Sequence, residues 1–304
     1  MDDPDAVHPE VDSAQEAANT WIKAHPAICD SAAGAALEPE LFGLYVAAGF
    51  PHVTAPVLRN AARWVGLMAI FDDRYTNEQQ PADPISLARI LPFMMSATSP
   101  GAAIDQLPPL AAALHEICWT HEESFATTLS RPAMQRFVSE KRAYLSAVLA
   151  EESLHLAEQP PSPQEYWELR SHNGAFMAAM ALIDSGAPLP DQWGFHSALA
   201  RALHYLACVF GSQNDVVSAP KENYSNLAFK AYLETGCATT DQALAEIART
   251  SNQFIEQYRL HKEERLSDAP PDVLRHLGDC EQYVHGIQRW SLETGRYPGA
   301  EMVT

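Results

Sequence analysis

One short stretch of the chain has residue types that could bind a metal ion. Asn214, Ser218 and Glu222 are spaced four residues apart, so on a helix an amide, a hydroxyl and a carboxylate would share one face. Oxygen groups of this kind suit hard cations, and Mg²⁺ in particular shares its ligand shell with substrate phosphates. Lys221 lies beside them and could contact a phosphate directly. The alternative is an ordinary polar helix end, because such residues, here including Pro220, also cluster where helices stop.

A second oxygen-rich group closes a long apolar run. Asp72 and Asp73 follow a stretch, beginning near residue 55, that is dense in Leu, Val, Met, Ile, Phe and Trp. Because an unpaired carboxylate is costly to bury, these acids must reach water, a basic partner or a metal ion. One interpretation is a helix that ends in solvent. The other is that this group faces the Asn214 group across the mouth of a pocket.

Two cationic positions could complete such a pocket. Arg170 is a rare fixed cation in an acidic, mainly apolar helix, and Gly174 follows it where a helix interior disfavours glycine. A break there would direct backbone carbonyls and the guanidinium into the space that the helix lines. The alternative is a salt bridge from Arg170 to Glu165 or Glu168.

The second cationic position lies beyond the last predicted helix. Gly295 and Pro298 mark a helix stop, so Arg296 and Tyr297 lie just after it. An ordinary basic C-terminal cap is the alternative for this pair.

The apolar spacing predicts an all-α chain. No strand-like alternation bounded by hairpin turns is convincing anywhere in the sequence. Proline and glycine divide the pattern into helices, which we expect around Arg170 and at about residues 13–25, 37–48, 55–75, 86–95, 110–127, 132–156, 191–213, 240–265 and 271–293.

Histidine and glutamate residues on two of these helices could suggest a di-metal bundle. That chemistry needs two Glu-x-x-His pairs, and the sequence contains one, Glu152 to His155. We therefore expect these residues to form solvated surface, namely His115, Glu116, His121, Glu122, Glu123, Glu152 and His155.

The composition limits the partners of the protein. The 304-residue chain has a formal net charge of −19 and a pI near 4.9. Such an acidic surface argues against nucleic acid and anionic membranes as partners, but an anionic small substrate stays possible if divalent cations screen the site. The apolar fraction of 47% is typical of a globular protein with a substantial core.

Localisation signals are also informative. The five cysteines are scattered without a CxxC spacing, and the acidic beginning of the chain has no apolar leader. No apolar run is long enough for a membrane span. We expect a cytoplasmic protein of one domain, residues 1–304, in which residues 1–12 form a flexible arm.

Four features in the correct order resemble the class I terpene synthases of the bacterial and fungal type, along nearly the whole chain. The resemblance implies a single-domain, all-α helical bundle with a central apolar active-site cavity. The matching residues are Asp72 and Asp73 for the aspartate-rich motif, Arg170 with Asn173 and Gly174 for the diphosphate-sensing arginine and helix break, Asn214-Asp215-x-x-Ser218-x-x-x-Glu222 for the second metal motif, and Trp290-Ser291 with Arg296-Tyr297 for the C-terminal diphosphate-binding pair.

The resemblance implies a Mg²⁺-dependent lyase that ionises a prenyl diphosphate. Three Mg²⁺, for which Mn²⁺ could substitute, would be held by Asp72 on one side and by Asn214, Ser218 and Glu222 on the other. The donors to the diphosphate would be Arg170, Lys221, Arg296 and Tyr297. The allylic cation would then cyclise in a dry pocket to a hydrocarbon or an alcohol. The candidate aromatic walls are Phe71, Phe176, Phe210 and Trp290, with Trp64 as a further one.

The sequence departs from the family pattern at two places. Thr76 and Asn77 stand where a third acid is usual, so Glu78 is the nearest replacement and Asp73 is expected to pair with a basic residue instead. Ile287 replaces the usual asparagine of the last helix.

Several questions stay open at the level of sequence. Farnesyl diphosphate is the default substrate, but an alanine-rich wall after Gly174, including Ala178, could leave room for geranylgeranyl diphosphate. A chain-elongating prenyl diphosphate synthase is the nearest rival, although it should carry a second aspartate-rich motif where Asn214 and Ser218 stand. A helical binding protein that has lost the chemistry is a further alternative. A homodimer is common in the family.

Overall fold

The computed structural model describes residues 6–25, 40–75, 84–95, 109–156, 160–222 and 226–297, and in these ranges the regular secondary structure is helical. The helices in them are α1 (Val11–Lys23), α2 (Phe42–Gly49), α3 (Ala55–Tyr75), α4 (Pro84–Met95), α5 (Pro109–Ala126), α6 (Arg131–His155), α7 (Pro163–Asn173), α8 (Phe176–Ile183), a 3₁₀ turn (Asp191–Trp193), α9 (Ser197–Ser218), α10 (Leu227–Thr235), α11 (Thr240–Leu266) and α12 (Pro271–Glu293). The expectation of an all-α chain is confirmed.

Capping residues explain where the site-bearing helices begin. Ser162 accepts a hydrogen bond from the Glu165 backbone, Glu165 returns one to Ser162, and Pro163 occupies the first turn, so α7 starts with a complete capping box. The Glu165 carboxylate is therefore engaged at the start of α7. The predicted helix at 191–213 instead divides into the 3₁₀ turn and α9, and α9 continues to Ser218, just before Pro220.

Helix α9 lies at the centre of the packing. It contacts α7, α8, α11 and α12, while α6 packs against α4, α7 and α8. The described interior contains one large apolar cluster, in which Phe71, Phe176 and Tyr283 have 1% or less of their surface exposed, and a smaller one around Trp167 and Phe229. Burying a side chain of this size contributes roughly 1.5 to 3 kcal/mol. The packing therefore fixes α7, α9 and α12 as the rigid elements that carry the site.

The expectation of a solvated His and Glu surface is wrong for four residues. His115, His121, Glu122 and Glu152 are all at least nine-tenths buried. Glu122 forms an ion pair with the buried ammonium of Lys141 from another helix, and Nδ1 of His121 is 2.9 Å from Oδ1 of Asn60, which is also buried. Partners on neighbouring helices make this burial possible, and the sequence of one helix does not show them.

The beginning of the chain is held in place earlier than expected. His8 is buried, its backbone N–H donates to Ala47 at 2.9 Å, and its Nε2 is 3.1 Å from the Val53 carbonyl. Residues 1–5 of the predicted arm lie outside the described residues, as do Thr76, Asn77 and Glu78. None of the described helices combines the length and apolar character that crossing a membrane requires.

Candidate active site

A backbone break between α7 and α8 shapes one wall of the site. Gly174 ends α7, and Ala175 has a left-handed φ of 56° before α8 begins at Phe176. This conformation is unfavourable for a residue with a side chain. Because the helix stops here, its last turn presents Arg170 and Asn173 to the interior, as the sequence led us to expect.

Arg170 is buried and extensively hydrogen bonded. Its Nη1 donates to Asn173 Oδ1 at 2.7 Å, and its Nη2 donates to Asn214 Oδ1 at 2.7 Å and to Asp215 Oδ1 at 2.9 Å. A Cβ on Gly211 would lie 2.8 Å from Arg170 Cγ, so glycine on α9 makes room for the arginine. The alternative ion pairs to Glu165 or Glu168 are wrong, because Asp215 across the helix interface is the partner.

Asp215 extends this arrangement to a second side chain of α7. Its Oδ2 accepts a hydrogen bond from the Tyr166 hydroxyl at 2.5 Å, and both residues are buried. Burial raises the pKa of Asp215, while Arg170 and the two hydrogen bonds oppose the rise. Asp215 therefore orients Arg170, although it follows Asn214 directly and lies on a different side of α9.

The three spaced residues of the predicted metal motif lie at the end of α9. Asn214 Nδ2 donates to the Tyr297 hydroxyl at 2.8 Å, which fixes its amide and leaves Oδ1 next to Arg170. Ser218 is the last residue of α9, and its Oγ donates to Glu222 Oε2 at 2.9 Å from within the following turn. Burial raises the pKa of Glu222, and hydrogen bonds to it lower the pKa.

Arg296 joins the C-terminal pair to the other acid group. Its Nη2 donates to Asp72 Oδ2 at 2.9 Å, and its Nη1 donates to both carboxylate oxygens of Glu40 at 3.0 Å. The Glu40 carbonyl in turn accepts from Trp290 Nε1 at 2.7 Å and Thr294 Oγ1 at 2.9 Å. Asp72 and Arg296 therefore meet directly, while the Asp73 side chain lies outside the described part.

Two neighbouring cavities, which share part of their lining, occupy the space between these groups. A polar cavity of about 100 Å³ is lined by charged and amide side chains, and an apolar cavity of about 140 Å³ lies beside it. The residues that line both are Asp72, Arg170, Asn173, Asn214, Arg296 and Tyr297. Lys221, Ser218 and Glu222 line the polar cavity alone. The candidate residues of four separate chain segments are thus brought to one place.

The apolar cavity has aromatic walls that only partly match the expected ones. Phe210, Trp290 and Trp64 line it, whereas Phe71 and Phe176 are buried in the core outside both linings. Phe176 packs behind the wall, with its ring centroid 5.5 Å from that of Phe210. Sequence reasoning missed further lining residues, namely Phe42, Tyr45, Tyr144 and Tyr283.

Sequence reasoning also missed acids and positioning groups. Nothing in the sequence marks Glu40 as a residue of the site, because an isolated acid does not reveal its partner on a distant element. Glu151 lines the polar cavity from α6, and burial raises its pKa to about 8, with Arg170 opposing this and Asp72 adding to it. Tyr166 could have been found, since it precedes Arg170 by one helical turn and shares its face.

Comparison with known proteins identifies the family. Residues 63–257 match the family model described as terpene synthase family 2, C-terminal metal binding. The chain belongs to terpene synthase family 2. As a member of this family it is an enzyme of the terpene synthase type, with a metal-binding domain.

Individual relatives agree with this assignment over nearly their full length. The chain is 22% identical to the (+)-eremophilene synthase of Sorangium cellulosum over 97% of this chain and 90% of that protein. It is 26% identical to a 4-epi-cubebol synthase, (2E,6E)-farnesyl diphosphate cyclizing, of Streptosporangium roseum, over 98% and 90%. The crystal structure of an α-eudesmol synthase superposes with a TM-score of 0.78 at 19% identity, covering 95% of this chain and 97% of that one. This terpene synthase therefore has the class I helical fold.

The donor set of this terpene synthase fits a hard divalent cation. Asp72, Asn214, Ser218 and Glu222 offer carboxylate, amide and hydroxyl oxygens, which are ligands that Mg²⁺ prefers. Within the described ranges, no three His, Cys, Asp or Glu side chains are grouped so that they alone could hold a metal ion. Among the described residues, Arg170 Nε and Asn173 Nδ2 are buried N–H donors with no hydrogen-bond partner, and an anion nearby is a suitable counterpart for them.

Proposed function

We propose that the chain is a Mg²⁺-dependent terpene cyclase that ionises a linear prenyl diphosphate and cyclises the resulting cation, releasing diphosphate. Farnesyl diphosphate is the first choice of substrate and geranylgeranyl diphosphate the second. The observation that carries this proposal is that Arg170, Asn214 and Arg296 line both cavities. One cavity suits an anion with its cations, and the next suits a hydrocarbon chain.

The metal ligands are divided between two sides of the polar cavity. Asp72 serves from the end of α3, and Asn214, Ser218 and Glu222 serve from the end of α9. We expect three Mg²⁺, with Mn²⁺ as a substitute. When bound, the ions stabilise the negative charge that develops on the leaving diphosphate. The side chains of this protein set where that charge is held.

The hydrogen-bond donors complete the diphosphate site. Arg170, Lys221 and Arg296 donate from charged groups, which are stronger donors than neutral ones. Tyr297 donates as a neutral phenol, since burial raises its pKa to about 12. Asp215 and Glu40 hold the two arginines before substrate arrives, so little reorganisation is needed at the moment of ionisation.

The apolar cavity protects and folds the cation. Phe210, Trp290 and Trp64 present aromatic rings there, and each face near positive charge contributes about 0.5 to 2 kcal/mol. Ile287 lines the same cavity at the position where the family usually has asparagine. Water would capture the cation, so an apolar wall is required for cyclisation.

The position of Ala178 bears on the length of the substrate. Gly174 and Ala175 line it, whereas Ala178 lies in the core with no exposed surface. The alanine-rich wall therefore contributes little space to the cavity. This removes the reason to expect a twenty-carbon chain, and the Streptosporangium roseum relative, named as a farnesyl diphosphate cyclizing enzyme, supports fifteen carbons as the first choice.

The test is an incubation of purified protein with geranyl, farnesyl and geranylgeranyl diphosphate separately, with Mg²⁺ or with EDTA. The organic extract is analysed by gas chromatography with mass spectrometry. We expect a cyclic product from farnesyl diphosphate that requires Mg²⁺ and is lost in Asn214→Ala. The control is Asn252→Ala, a change of the same kind at an exposed position of α11.

Two outcomes would contradict the proposal. Longer linear diphosphates on addition of isopentenyl diphosphate would identify a chain-elongating synthase. No turnover of the three substrates with Mg²⁺ or Mn²⁺ would favour a binding protein. Size-exclusion chromatography with light scattering tests the homodimer, which we propose from the family resemblance alone.

A further inference from the structure

Asn226 occupies a junction between the metal motif and the next helix. Its side chain is buried, with 5% of its surface exposed, and it caps α10 because its Oδ1 accepts from the Phe229 backbone N–H at 3.1 Å. Its Nδ2 donates to Glu222 Oε2 at 3.1 Å and to the Asp215 backbone carbonyl at 3.1 Å. One amide therefore ties the end of α9, the Glu222 carboxylate and the start of α10 together.

Glu222 depends on such contacts for its position. It follows the last residue of α9 by four positions and lies in a turn that contains Pro220, so the helix does not orient it. Its backbone N–H still donates to the Ser218 carbonyl at 3.1 Å. Two side chains, Ser218 and Asn226, donate to the same carboxylate oxygen, Oε2. Two donors that converge on one oxygen fix the orientation of the carboxylate.

The contacts at this junction require an amide. An acceptor oxygen must face the α10 backbone, while two N–H groups face Glu222 and the Asp215 carbonyl. Among side chains of this size, only asparagine supplies the acceptor and the two donors together. Serine could cap the helix equally well. It is too short to keep the two donations as well. The cap and the contact with Glu222 can therefore be separated by substitution.

We infer that Asn226 is a positioning residue for the metal site, holding Glu222 in the orientation that binds the cation. Asn226 borders the polar cavity, and both atoms of its amide are engaged with Glu222, the Asp215 carbonyl and the α10 backbone. The inference rests on the proposed function, because it takes Glu222 as a metal ligand. Groups that orient a metal ligand by hydrogen bonding commonly change metal affinity about 10- to 100-fold when they are removed.

The test compares Asn226→Ser with the wild-type protein by the binding of Mn²⁺ in the presence of inorganic diphosphate. Free Mn²⁺ is measured by electron paramagnetic resonance, so no turnover is involved. We expect the Kd for Mn²⁺ to rise about 10-fold or more while the folded protein is retained, since serine keeps the cap. Asn226→Thr serves in the same way if the serine variant does not fold.

A matched control is available at Asn60. This asparagine is also buried, with 3% of its surface exposed, and it bonds His121 through both amide atoms. Asn60→Ser should lower the melting temperature without changing Mn²⁺ affinity. In a steady-state assay, Asn226→Ser should need more Mg²⁺ for half-maximal rate, and excess Mg²⁺ should restore kcat.

Different failures have different meanings. A folded Asn226→Ser or Asn226→Thr protein with wild-type Mn²⁺ affinity would overturn the inference and leave the proposed function intact. An equal loss of affinity in Asn60→Ser would also overturn it, because the effect would then be general destabilisation. A wild-type protein that binds no Mn²⁺ with diphosphate would overturn the metal site itself, and with it the proposed function.

Discussion

Arg296 donates a hydrogen bond to Asp72, with 2.9 Å between Nη2 and Oδ2. A proposed diphosphate donor and a proposed metal ligand are therefore paired with each other. The substrate diphosphate would offer Arg296 a new partner, and the cation would offer Asp72 one. The two ligands should consequently bind better together than either does alone, since whichever arrives first removes part of the cost for the second.

The first prediction concerns Asp72. Asp72→Asn keeps the size of the side chain but removes a charged ligand, so kcat/KM should fall at least about 100-fold, as for other groups that act on developing charge. The Asp72 side chain is 56% exposed, so stability should change by less than about 1 kcal/mol. Diphosphate release and the melting temperature are measured together. Glu246→Gln, which breaks the exposed pair with Arg249, is the control.

The second prediction concerns Tyr166. Tyr166→Phe leaves buried Asp215 without one of its donors, which should lower the free energy of unfolding by about 1 to 3 kcal/mol. Since Asp215 holds Arg170, kcat should fall about tenfold as well. Urea denaturation and steady-state kinetics measure the two effects.

Tyr258→Phe is the matched control for Tyr166. Tyr258 is also buried, and its hydroxyl also donates to a carboxylate, that of Glu281, at 2.5 Å, but it lies outside both cavity linings. The Tyr258→Phe variant should be less stable than the wild-type protein and keep its activity. Equal kcat losses in the two variants would refute the orienting role of Tyr166.

The third prediction concerns the pH dependence of stability without metal. Burial raises the pKa of Glu151 from 4.5 to about 8, so the folded protein holds a proton that the unfolded chain releases. The contribution of Glu151 to the free energy of unfolding is full below the pKa that this residue has in the unfolded chain, and it is lost as the pH rises towards 8. In EDTA, the melting temperature should decline between pH 5 and pH 8 more steeply for the wild type than for Glu151→Gln. A slope unchanged by this substitution would contradict the assignment.

The fourth prediction compares two alanine positions. Ala69 lines the apolar cavity, whereas Ala178 is buried in the core. Ala69→Phe should therefore shift the substrate preference towards geranyl diphosphate. Ala178→Phe should instead overpack the core and cost about 1 to 3 kcal/mol of stability. Relative kcat/KM values for the three prenyl diphosphates measure the substrate preference of each variant. If Ala178→Phe alone alters this preference, the alanine-rich wall sets the substrate length after all.

Local spacing explains what the sequence alone revealed. Helix α3 was predicted with its observed limits, because apolar periodicity and the following acids are local signals. Asn214 and Ser218 were found for the same reason, since a fixed spacing places them on one face. Which surface that face meets depends on the fold of the rest of the chain.

Contacts between distant elements explain what the sequence did not reveal. The burial of Glu122 depends on Lys141, and the position of Arg296 depends on Glu40. Each pair is an ordinary acid and an ordinary base until the helices are packed. Aromatic residues are ambiguous in the same way, because Phe176 and Phe210 differ only in which of them faces the cavity.

The contacts that hold Arg296 also have a consequence for folding. The bonds from Glu40 to Trp290, Thr294 and Arg296 join positions 250, 254 and 256 residues apart in the chain. Closing so long a segment is entropically costly, and contacts of large sequence separation slow folding. During refolding, helix content should recover before catalytic competence does. A chain can thus be helical and compact while the arginine that would receive the diphosphate is not yet in place.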